Sequence, residues 1–89
     1  MKSAELSAAR AEALFISMLQ PSDDPTPMQV RAAVAAGLRR NGMRGCAGRV
    51  AHEFGAHPIE AVARMSWVLA QLRSACGPTS QASIVSPEP

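Results

Sequence analysis

His52, Glu53 and His57 come nearest to a hydrolytic or metal-binding motif in this chain of 89 residues. The zinc-hydrolase pattern needs two histidines four apart on one continuous helix, with a glutamate between them as general base. Here the histidines are five apart, Gly55 lies between them and Pro58 follows directly. There is no Ser/His/Asp set, no glycine-rich phosphate loop after a strand, and no pair of acids on one helix face within the basic part of the chain. Catalysis, a bound metal and a cofactor are therefore not expected. Cys46 and Cys76 fit buried small apolar residues better than a redox pair, whose Cα atoms must come within about 7 Å.

The residue type that stands out is arginine. The formal charge of +2 conceals an uneven distribution: residues 27–76 hold seven arginines against Glu53 and Glu60, while Asp23 and Asp24 lie just before them. Arg39, Arg40, Arg44 and Arg49 cluster around Asn41 and Gly42. The planar guanidinium fork suits phosphates and carboxylates, so the cluster reads either as a solvated helix face or as an anion-binding surface for nucleic acid or an acidic protein.

The elements that must position these side chains are helical. Seventeen alanines and only Phe15, Phe54 and Trp67 as aromatics leave a core of small and aliphatic side chains, which argues against a sandwich or barrel. A first helix is expected over 3–20, with Leu14, Phe15, Met18 and Leu19 on its broad apolar side, and Pro21 stops it. Residues 21–26 read as a stiff linker. Thr26 as N-cap, Pro27 at the first helical position and Gln29 closing a capping box start a second helix, which Asn41 and Gly42 end. Met43, Ala47, Val50 and Phe54 line a third helix, closed by Gly55. Pro58 opens a fourth, running to about Cys76, with Val62, Met65, Leu69, Leu72 and Cys76 as its core stripe and Ala61 and Val68 at one edge. The expected architecture is one all-α domain over 1–77: a trihelical, helix-turn-helix-like core over 27–76 plus the N-terminal helix. Residues 78–89, rich in serine and proline, read as a disordered tail with Ile84 and Val85 as its large apolar residues.

Ala51, Gly55 and Pro58 resemble a helix-turn-helix, in which a small residue packs in the first helix, glycine opens the turn and the next helix enters the major groove. The apolar residues that should follow, Val62 and Met65, fit only with one extra residue in the turn. In that reading the solvent side of the fourth helix carries Arg64 and Gln71, seven apart, suited to guanine and adenine respectively. DNA contacts are then expected from Arg39, Arg40, Arg44, Arg49, Arg64 and Gln71. Trp67 projects onto the same polar side, which leaves two roles open: cover by the first helix through Leu14, Phe15 and Met18, or exposure as an interface anchor.

Residues 44–67, through Gly45-Cys46, Glu53-Phe54-Gly55, His57-Pro58 and Arg64-Met65, are similar to a short pattern in small actinobacterial proteins of uncharacterised function. The resemblance extends weakly back through Val30 to Arg40. It implies a real folded unit and no activity. No run of about 20 apolar residues spans a bilayer, and charges at Glu5, Arg10 and Glu12 interrupt what would be a signal peptide, so the expected location is the cytoplasm. The sequence thus leads to a non-enzymatic, DNA-binding regulatory protein. Its alternative is an adaptor, or a homodimer, that meets an acidic or apolar protein partner through Trp67, Phe15 and Met18.

Overall fold

The computed structural model describes residues 3–75. Cys76 and the expected tail, with Ile84 and Val85, lie outside the described residues. Those described form helix α1 (Ser3–Phe15), a single 3-10 turn (Pro21–Asp23), helix α2 (Pro27–Ala56) and helix α3 (Pro58–Ala75), with no strand among them. The protein is all-α.

α1 stops at Phe15, six residues before the proline expected to end it. Ser17 provides the local reason. Its Oγ donates to the Leu14 carbonyl at 2.7 Å and accepts from the Leu19 N–H at 3.3 Å, the kind of side-chain bond that diverts backbone groups from a helical ladder.

α2 starts as its sequence demands. The Thr26 hydroxyl accepts from the Gln29 N–H at 3.1 Å, and the Gln29 side chain accepts from the Thr26 N–H at 2.8 Å. The sequence leads one to expect two helices between here and Gly55, and four in all. The described residues instead form three α-helices, and the middle one, 30 residues long, passes through a break at Gly42 (φ 70°, ψ 170°). That conformation belongs to glycine alone. It turns the helix sharply. Cys46 Sγ lies 3.6 Å from the Gly37 carbonyl oxygen, whereas nine residues of straight helix span about 13.5 Å. The halves of α2, residues 27–41 and 43–56, therefore fold back onto a shared core.

That core takes Leu14 and Phe15 from α1, Val30 and Val34 from the first half of α2, Cys46 and Val50 from the second, and Ala61 and Val68 from α3. Phe15 stacks on Phe54 with ring centroids 5.8 Å apart. Gly37 lets α1 approach α2 closely: a Cβ there would meet both Cβ and the carbonyl oxygen of Ala13 at 3.1 Å.

α3 is rotated relative to the sequence expectation. Ala61 and Val68, expected at the edge of its stripe, are its most buried residues, Met65 and Leu72 are half-buried, and Val62 and Leu69 are 58% and 44% exposed. Residues 61, 64, 68, 71 and 75 share the inward side. Arg64 accounts for the rotation, because its partners lie at the end of α1 and on the segment just after it.

Candidate functional site

Every C-terminal carbonyl of a helix needs a donor from outside its own ladder. α1 ends without the glycine or asparagine that usually supplies the terminating turn, and Arg64 takes over that role. Its Nε donates to the Phe15 carbonyl at 2.7 Å, and its Nη2 to those of Ser17 and Leu19 at 3.0 Å each, with a longer bond to Leu14 at 3.5 Å. The guanidinium carbon lies 5.3 Å from the centre of the Trp67 ring and 5.7 Å from that of Phe15. Burial lowers the Arg64 pKa below the ordinary arginine value. The carbonyl oxygens and the negative end of the α1 dipole favour the charge in return.

Arg31 acts in the same way at the C-terminal end of α3, donating from Nη1 to the Ala75 carbonyl at 2.8 Å. Two arginines of the basic block are thus joints between helices. No sequence signal marks Phe15 as the end of α1, since the helical pattern runs on to Pro21.

Arg39, Arg40, Arg44 and Arg49 are different. All four are exposed. Among the described residues no ion pair, hydrogen bond or ring contact engages any of them. They flank the elbow that Gly42 makes, two on each half of α2. Arg40 and Arg49 line one cleft of about 510 Å³, with Asn41, Gly37 and the segment leaving α1 as its walls. Arg49 also borders a second cleft of about 460 Å³, where it shares the lining with Arg64, His52, Glu53 and Glu60.

The remaining residues singled out by sequence fall elsewhere. Gln71 is half-buried on the inward side of α3. Trp67 is half-buried against the core and under Arg64. Phe15 is 5% exposed and belongs to the core, whereas Met18 is 89% exposed just past the end of α1. These three do not form one surface patch. His52 lies within α2 and His57 caps its end, and no group of three or more histidine, cysteine or acidic side chains among the described residues is placed to hold a metal ion.

The helix-turn-helix geometry is loose at three points. Ala51 is exposed rather than packed. Gly55 is helical, with Gly42 the glycine of positive φ in the described residues. Only His57 separates α2 from α3, where the motif uses a turn of about three or four residues. Its N–H still bonds the Glu53 carbonyl, at 2.7 Å, and its carbonyl already accepts from Ala61, at 2.8 Å.

Cys46 is fully buried. Burial, and next the Glu12 carboxylate, push its thiol pKa up, while Arg49 pulls it the other way, so the thiol is protonated and poorly nucleophilic at neutral pH. No helix among the described residues is long and apolar enough to cross a membrane. Comparison of the chain with protein-family models, with curated proteins and with solved structures finds no match.

Proposed function

We propose that this protein binds double-stranded DNA through the arginine elbow, as a small non-enzymatic regulatory protein. The observation that carries the reading is the state of Arg39, Arg40, Arg44 and Arg49: exposed, without an ion pair among the described residues, and set on both sides of the bend at Gly42, where Arg40 and Arg49 line one cleft. A surface of this kind neutralises phosphates and positions a protein on a duplex without reading its bases. Arg64 and Gln71 are left out of the contact set, since one is bound to carbonyls of α1 and the other is turned inward. α3 is accordingly not assigned to the major groove.

The test is a fluorescence-anisotropy titration of a labelled duplex. Four phosphate contacts give a slope of about −3.6 in log affinity against log salt, or a loss of about a hundredfold between about 50 and 200 mM. Absence of binding at the lower salt by folded protein, or an affinity indifferent to salt, overturns the reading.

A further inference from the structure

The rotation of α3 leaves a second apolar face uncovered. Ile59 is 81% exposed, and with Val62 and Leu69 it forms a stripe completed by the exposed Ala63, Ser66 and Ala70. Positions 59, 62, 66 and 69 recur at alternating steps of three and four, the seam spacing of a helix packed along another helix. The opposite side of α3 is already filled by Ala61, Met65, Val68 and Leu72 against the core. A helix apolar on both sides belongs between two partners, and the fold supplies one.

We infer that this outward face of α3 packs antiparallel against the same face of a second copy of the chain. Two properties choose that occupant. The stripe is self-complementary about Ser66: an antiparallel copy places Val62 against the partner's Ala70 and Ala63 against the partner's Leu69, a large side chain over a small one, and Ile59 against the aliphatic stem of the partner's Arg73. The ends of the helix are also opposite in charge, with Glu60 in the first turn and Arg73 in the last, both exposed. Antiparallel packing sets the acidic turn beside the basic one and opposes the helix dipoles, whereas parallel packing sets like beside like. The contact is one helix long, about 21 Å between residues 59 and 73, at the low end of interface sizes. Dimerisation is therefore weak and concentration dependent.

The inference stands apart from DNA binding, and its test uses the full chain without nucleic acid. Sedimentation velocity over a wide concentration range gives a mass rising from monomer towards dimer. Leu69→Lys, at an exposed site, leaves the helical circular dichroism unchanged and holds the chain monomeric throughout. In a Cys76→Ser background with oxidised glutathione, Ser66→Cys forms a cross-linked dimer and Val62→Cys does not, because the two-fold axis brings only position 66 opposite itself. A chain that stays monomeric, a dimer indifferent to Leu69→Lys, or equal cross-linking at 62 and 66 overturns the inference. So does a dimer lost on removing residues 78–89 alone.

Discussion

The guanidinium of Arg64 lies 2.7 Å from the carbonyl oxygen of Phe15, 49 positions earlier in the chain, and closes the helix that Phe15 ends. Removing it strands the carbonyls of Phe15, Ser17 and Leu19 and takes a cation from between two aromatic rings. Charged hydrogen bonds of this type contribute about 1.5–3 kcal/mol. Arg64→Ala is therefore expected to lower the thermal midpoint by roughly 10 °C, at about 4–8 °C per kcal/mol for a chain of this size. Arg64→Lys, which keeps the charge but loses the fork, recovers only part of it. Calorimetry on both variants checks this, and an Arg64→Ala protein as stable as the wild type contradicts it.

Gly42 is expected to tolerate no side chain. Its φ of 70° with ψ of 170° lies outside even the left-handed helical region that asparagine visits. Nothing packs where a Cβ would stand, so the cost is conformational, about 1–3 kcal/mol. Gly42→Ala should lower the urea midpoint and weaken DNA binding together, because the elbow that brings Arg40 and Arg49 to one cleft depends on that residue. Unchanged DNA affinity in Gly42→Ala would separate the bend from the function.

Cys46 makes stability depend on alkaline pH. Its thiol pKa is raised in the folded protein, so the folded state holds the proton more tightly than the unfolded chain does. The associated stability is complete below the unfolded thiol pKa of about 8.5 and is lost as pH rises through the folded value. Urea midpoints between about pH 7 and pH 10 should fall more steeply for the wild type than for Cys46→Ala. Parallel profiles would exclude the thiol as the titrating group.

Much of the backbone was legible in sequence because its signals are local. Thr26, Pro27 and Gln29 specify the start of α2 within four residues, and Pro58 specifies the start of α3. Long-range relations were not legible. A projection of α3 counts Arg64 as polar and sends it to solvent, yet the open carbonyls of α1 draw it inward and turn Val62 and Leu69 out. Gly42 reads as a helix break in sequence, and the chain does leave helical geometry there; the direction in which the two halves of α2 then bend was not legible. Arg39, Arg40, Arg44 and Arg49 could be picked out by clustering alone; that none forms an ion pair among the described residues, while Arg31 and Arg64 are seated on carbonyls, depends on the tertiary fold.

Whether the exposed arginines flanking Gly42 hold phosphate is decided by comparing salt slopes for the wild type and a chain carrying Arg40→Ala and Arg49→Ala, the two residues that share a cleft. Each phosphate contact removed lowers the slope by about 0.9. The double variant is expected to show a slope shallower by about 1.8, with weaker binding to every duplex sequence and an unchanged unfolding midpoint. A double variant with the wild-type slope and affinity contradicts it.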